Sequence, residues 1–187
     1  IGASIGEFVI ASYILFPKAK IIAYEPCRET YKVLCDTMVG LPIVLISEAV
    51  GDGLPLYFKP SGNKSPICQG NLFKKNNNGN YAAASVTIDK IFEDNNIDTS
   101  KNILINIDCE GGEQYILQYK YKEILLKCKH LYIEVHFQCE SNRNFDDLPK
   151  WEEYDEWIQN TFKNTHNILY YKKREISGYC IIICSKK

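Results

Sequence analysis

The sequence predicts an α/β fold built as one domain over residues 1–187, and three observations carry that prediction. Short β-branched runs such as Ile43-Val44-Leu45-Ile46 and Asn102-Ile103-Leu104-Ile105 alternate with segments whose apolar residues recur at helical spacing. The turns from strand to helix hold glycines and carboxylates, above all Asn106-Ile107-Asp108-Cys109-Glu110-Gly111-Gly112-Glu113. With 187 residues, 45% of them hydrophobic, the chain is long enough to bury one sizeable core.

In chain order, Ile1-Gly2-Ala3-Ser4-Ile5-Gly6 opens a helix whose apolar face is Ile5, Phe8, Val9, Tyr13 and Phe16 and which stops at Pro17. Ile10, Ile14 and Leu15 widen that face, as expected of a helix covered on both sides. Glycines at its mouth let backbone approach a ligand closely and aim unpaired N–H groups at it. A strand is expected ahead of such a loop, so the chain reads as cut within its first strand. The dinucleotide fingerprint G-x-G-x-x-G fits in neither register, because its glycines would fall on Ser4 or Ile5.

Lys20 to Tyr24 reads as the next strand, ended by Glu25-Pro26. A carboxylate at that tip, about 20 residues past a glycine loop, is placed to accept hydrogen bonds from two ribose hydroxyls. Arg28 to Val39 is helical with Tyr31, Leu34, Cys35 and Met38 on one face, and Gly40 closes it. Ile43 to Ser47 is a buried-looking strand, and Leu54 to Lys59 a shorter one. The Asn-, Gly- and Lys-rich stretch from Pro60 to Tyr81 reads as a long surface loop, a lid or mobile segment. Residues 84–89 lead into a short helix, Lys90 to Asn96.

The central strand from Asn102 is expected to be buried on both faces, and Gln114 to Leu126 to be one helix with Ile116, Leu117, Tyr121, Ile124 and Leu125 inward. In open α/β sheets ligands gather at the carboxyl ends of the strands, where Asp108 and Glu110 fall. Glu113, already in the first turn, reads as a carboxylate favoured by the helix macrodipole. The strand His130 to Phe137 carries Glu134 and His136 on one face at period two. If it neighbours the Asp108 strand, both converge on the same crevice, and a Glu inside an apolar strand needs a partner. Trp151, Tyr154, Ile158 and Phe162 give a further helix an aromatic stripe, read as core packing with an aromatic substrate wall as the alternative, and Asn167–Lys172 with Tyr179–Ser185 closes the chain as a β-hairpin around Gly178.

A net charge of −1 announces no nucleic-acid or anionic-membrane partner, and no apolar run is long enough to span a bilayer. Among the 8 Cys no two form a C-x-x-C pair, and 3 His are few for zinc sites. Buried free thiols in a reducing, cytoplasmic compartment are the expectation.

Six elements in order resemble the FkbM family of S-adenosylmethionine-dependent methyltransferases, from Ile1 to about Phe137: the loop Gly2 to Gly6, Glu25-Pro26, Ala49-Val50-Gly51, Ile88-Asp89, the block Ile107 to Glu113, and Glu134-Val135-His136. Two positions depart from the family pattern. The Asp that opens the glycine loop would precede Ile1, and Asn106 stands where a Lys is often found. The resemblance implies a class I methyltransferase fold: a Rossmann-like, mostly parallel sheet with helices on its faces and a strand of the terminal hairpin running antiparallel. It implies that Gly2, Ala3, Ser4 and Gly6 approach the methionine part of S-adenosylmethionine, that Glu25 and Pro26 meet the ribose, that Glu48 and Ala49 border the adenine, and that Asp108 also lies at the cofactor. It implies methyl transfer to a hydroxyl oxygen of a sugar or other small molecule.

A hydroxyl acceptor must lose its proton, so a base within hydrogen-bond reach is required, and Asp108, Glu110, Glu134 and His136 are the catalytic candidates. The expectation is Asp108 for positioning and His136 as base, with no metal assigned; the same carboxylates could instead hold a divalent ion that acidifies the hydroxyl. The competing readings are a nonenzymatic S-adenosylmethionine-binding or interaction domain and a methyltransferase acting on protein or nucleic acid.

Overall fold

A computed structural model describes residues 1–58, 72–73, 81–138, 148–174 and 178–187. The chain forms two compact units, Ile1–Val86 and Thr87–Lys187. Among the described residues the strands fall into four small sheets, both parallel and antiparallel. This is a mixed α/β architecture.

In the first unit, α1 (Glu7–Leu15) follows the glycine loop, and β1 (Ile21–Tyr24) leads to α2 (Arg28–Thr37) and β2 (Ile43–Ile46). The two strands pair in parallel, Ile21 beside Ile43 through Tyr24 beside Ile46. This strand–helix–strand unit closes over Ala3, Val9, Ala23, Leu34 and Met38, with Ile10, Ile21, Tyr31 and Ile43 packed against them. The Tyr31 hydroxyl donates to the Leu45 carbonyl at 3.1 Å and ties α2 to β2. Gly40 takes a φ of 78°, the left-handed geometry expected just past a helix.

Two expectations for this unit do not hold. Within α1 only Val9 is buried, and Ile14 and Leu15 are 70% and 69% exposed. An all-round apolar sequence fixes no orientation, so burial on two sides was not readable from it. Val44 in β2 is exposed as well. Beyond these elements, β3 (Ala49–Val50) runs parallel to β7 (Ser85–Val86), and β4 (Leu56–Phe58) pairs antiparallel with β5 (Leu72–Phe73) and β6 (Tyr81–Ala83). The expectation of a lid or mobile loop over Pro60 to Tyr81 falls for the most part outside the described residues.

The second unit begins with α3 (Ile88–Asp94) and is built on the sheet β10 (His166–Arg174), β11 (Tyr179–Lys186), β9 (His130–His136) and β8 (Leu104–Ile107), in that spatial order. Strands β8 and β9 are parallel; β11 runs antiparallel to both β9 and β10. The terminal hairpin thus holds as predicted, with a register shift between Tyr170 and Lys172. In α6 (Trp151–Phe162) the side chains of Tyr154, Ile158 and Phe162 are buried, and Trp151 packs at 5.5 Å from the Phe137 ring. The aromatic stripe is therefore core. Leu104 is 47% exposed, so β8 is not buried on both faces throughout.

The helix expected over residues 114–126 is broken into α4 (Glu113–Ile116), a 3₁₀ turn (Tyr119–Tyr121) and α5 (Lys122–Leu125). Its inward residues Ile116, Leu117, Tyr121 and Leu125 are nonetheless buried. The cause is local competition for backbone groups: the Gln118 side-chain amide donates to the Gln114 carbonyl, which a continuing helix would offer to the Gln118 N–H. Gln118 turns extended instead.

The expected reduced state holds for Cys35, Cys109, Cys128, Cys180 and Cys184. Cys27 departs from it and is disulfide-bonded. Pairing depends on distance in space, which spacing along the chain does not give. Among the described residues no helix is long and apolar enough to cross a membrane.

Candidate functional site

The glycine loop of the first unit is shaped by three left-handed residues, Gly2, Ser4 and Gly6, with φ of 74°, 50° and 100°. Ser4 has a side chain and pays steric strain there, the kind of outlier that collects at ligand sites. The loop's amides, expected to be unpaired, are largely spoken for. Gly2 and Ala3 donate to the Tyr24 carbonyl, Gly6 donates to the Ala3 carbonyl, and Ser4 donates to Glu25 Oε2 at 2.9 Å.

Glu25 is buried, and its other oxygen accepts the Cys27 N–H at 2.9 Å. Burial raises its pKa above the ordinary value, with the amides of Cys27 and Ser4 working against the rise. Each carboxylate oxygen has one N–H donor and retains a further lone pair. Those two acceptors suit the two donating hydroxyls of a ribose, so the residues present fit the nucleoside of S-adenosylmethionine. Pro26 is half-buried, Glu48 half-buried, and Ala49 fully buried in β3 with its N–H donated to the Ala84 carbonyl.

In the second unit, the adjacency on which convergence depended is present. Ile107, the last residue of β8, lies beside Ile133, so Asp108 and Glu110 leave one strand where Glu134 and His136 extend the next. His136 is buried, with Nδ1 at 3.4 Å from Glu113 Oε1 and Nε2 at 3.5 Å from Glu110 Oε2 and 3.8 Å from Glu134 Oε1. The four catalytic candidates are therefore brought together.

The turn that delivers them is strained. Glu110 takes a φ of 51° and Gly111 one of 98°, two left-handed residues in succession. This conformation aims the N–H groups of Cys109 and Gly111 at the two oxygens of Glu113, at 2.8 and 2.9 Å. Glu113 is completely buried. It does more than sit at a helix start: it locks its own turn and orients His136. Sequence reasoning saw it in the motif and assigned it to the macrodipole; nothing in the chain marks it as the imidazole's partner.

Charge follows from this packing. Burial opposes a charged His136, but Glu113, then Glu110 and Asp108, outweigh it and raise its pKa to about 9. Burial, then the neighbouring Glu134 carboxylate, pushes Asp108 up to about 7. Glu113 is held below the ordinary carboxylate range, since the imidazolium and the backbone amides overcome its burial. Near neutral pH the cluster therefore holds a charged imidazolium, an ionised Glu113, and an Asp108 poised to take or give a proton.

Asp108, Glu113 and His136 can each present a ligand atom, all within 4.8 Å of one another. Yet Glu113 Oε1 already receives the Cys109 amide and the His136 ring, and Oε2 the Gly111 amide, so a metal there would displace the contacts that shape the turn. Tyr154, from the aromatic stripe of α6, is a further neighbour, its charge state coupled to Glu113. Its buried hydroxyl has no hydrogen-bond partner among the described residues, and burial and the Glu113 charge hold its pKa well above the ordinary value.

Over residues 1–166 the chain matches the family described as Methyltransferase FkbM domain. No curated protein is significantly similar to it.

Proposed function

The chain belongs to the FkbM methyltransferase family, and from that premise we propose that it is an S-adenosylmethionine-dependent O-methyltransferase acting on a hydroxyl of a sugar or other small molecule. In this reading residues 1–187 form one catalytic domain on the class I, Rossmann-like plan. The five reduced cysteines favour a cytoplasmic setting, against which the Cys27 disulfide counts. The observation that carries the proposal beyond the family is the cluster of Asp108, Glu110, Glu113 and Glu134 around one buried imidazole at the carboxyl ends of two adjacent parallel strands.

When bound, S-adenosylmethionine supplies a methyl group on a positively charged sulfur, already activated toward attack. The protein's task is then to position the acceptor and remove its proton. The proposal exchanges the roles expected from sequence. With its pKa near 9, His136 carries a proton at neutral pH and does not serve as base, whereas Asp108, near 7, does. Asp108 takes the acceptor's hydroxyl proton; His136, oriented by Glu113, holds the surrounding carboxylates in place and moderates their repulsion. Gly2, Ala3, Ser4, Gly6, Glu25, Pro26, Glu48 and Ala49 are proposed to hold the cofactor.

The test is S-adenosylhomocysteine formation against a panel of sugars and small alcohols, run from pH 5.5 to 10. The rate should rise as pH passes about 7, where Asp108 ionises, and fall as it passes about 9, where His136 discharges. Asp108→Asn should lower the rate by roughly a hundredfold or more, with S-adenosylhomocysteine affinity by calorimetry within a few-fold of the parent. Transfer at the parent rate by that variant refutes the base assignment. Tight binding with no turnover on any acceptor favours a nonenzymatic binding domain.

A further inference from the structure

The strands that carry the acidic cluster at their carboxyl ends gather the opposite charge at their other ends. Lys101 precedes β8, Lys127 and Lys129 precede β9, Lys186 ends the antiparallel β11, and Lys187 follows it. All five are exposed. Their backbones are fixed to one another by the sheet and its margins: the Lys129 N–H donates to the Ile103 carbonyl at 2.9 Å, the Lys186 N–H to the Lys129 carbonyl at 2.8 Å, and the Lys187 N–H to the Thr165 carbonyl at 3.0 Å. Together with Thr99, Ser100 and Asn102 these lysines line a hollow of about 270 Å³.

Five like charges around one small hollow repel each other, and none of the side chains in the lining is acidic. Asp98, outside the lining, accepts the Ser100 N–H at 2.9 Å and hydroxyl at 2.7 Å and offsets part of the Lys101 charge alone. The Lys187 ammonium donates to the Lys163 carbonyl at 2.9 Å, which fixes its position and leaves its charge. One sheet thus carries an acidic cluster at one end and five lysines at the other, in a chain whose net charge is −1.

We propose that this hollow is a binding site for a polyphosphate chain, that of a phosphorylated small molecule or of inorganic polyphosphate. Lysine ammoniums bind phosphate as point charges. A lone carboxylate would neutralise one charge in five, whereas linked phosphoryl groups neutralise several. The volume is just below the roughly 300 Å³ at which pockets for whole ligands begin, which suits a phosphate chain with the rest of the ligand outside. The lining has no aromatic side chain on which a base could stack, which sets it apart from a single-stranded nucleic-acid groove. This site is independent of the methyl-transfer reading.

The experiment is calorimetric titration of the full chain with sodium tripolyphosphate, ATP, sulfate and a single-stranded oligonucleotide, at low and at physiological salt. Tripolyphosphate should bind at least tenfold more tightly than sulfate and weaken steeply as salt rises. The triple variant Lys101→Glu, Lys127→Glu and Lys129→Glu should lose more than tenfold, the milder pair Lys127→Gln and Lys129→Gln less, and Lys90→Glu, on α3 of the same unit and outside the lining, nothing. Binding of ATP tighter than tripolyphosphate supports a nucleotide source, and equal binding supports inorganic polyphosphate. Tripolyphosphate binding no tighter than sulfate, binding unchanged in the triple variant, or an oligonucleotide that outcompetes tripolyphosphate at these lysines overturns the proposal.

Discussion

Replacing His136 with Gln removes the imidazolium beside Asp108, Glu110, Glu113 and Glu134, and the cost can be estimated from the structure. Packing against Glu113 and its neighbours raises the imidazole from an ordinary 6.5 to about 9. At 1.36 kcal/mol per pKa unit that rise stabilises the folded state by on the order of 3 kcal/mol, a size consistent with breaking a buried ion pair. Because the folded pKa exceeds the unfolded one, the folded protein holds the extra proton. The contribution is complete below pH 6.5 and is lost as pH rises through about 9. Urea unfolding of parent and variant should therefore differ by on the order of 3 kcal/mol at pH 6 and converge at pH 10. Both tryptophans, Trp151 and Trp157, lie in α6 of the same unit as the cluster, so their fluorescence reports on its unfolding. A difference that stays constant from pH 6 to pH 10 would show that His136 acts by packing, and would remove the basis for calling it an imidazolium at neutral pH.

Two further outcomes are expected in the glycine-loop unit. Glu25→Ala leaves the amides of Ser4 and Cys27 without their acceptor, so it should lower stability by about 1–3 kcal/mol even with no ligand present, and weaken S-adenosylhomocysteine binding besides; a thermal melt of the unliganded variant equal to the parent's refutes the loop role. Gly6→Ala places a Cβ at a φ of +100° and against Met38 Cε and Leu34 Cδ1, and should destabilise by on the order of 2 kcal/mol. Urea unfolding checks it, and an undiminished midpoint refutes the left-handed entry to α1.

The sequence by itself determined what depends on neighbours along the chain. Period-two spacing put Glu134 and His136 on one strand face, glycines marked the turns at Gly2 to Gly6 and Gly111-Gly112, and the apolar spacing of α2 and α6 named their buried faces. Those signals are local, set by backbone geometry that repeats every two or 3.6 residues. What only the tertiary structure decided depends on distance through space. The pairing of Ile107 with Ile133 turned two separate motifs into one cluster, and the complete burial of Glu113 made a first-turn carboxylate the partner of an imidazole. The exposure of Ile14 and Leu15 and the disulfide at Cys27 were equally hidden, because neither apolar composition nor cysteine spacing specifies what a side chain meets. Protonation was the least legible of all. Asp108 and His136 are ordinary in sequence, and their proposed roles were exchanged because a pKa is set by burial and by charges a few ångströms away, whatever their separation along the chain.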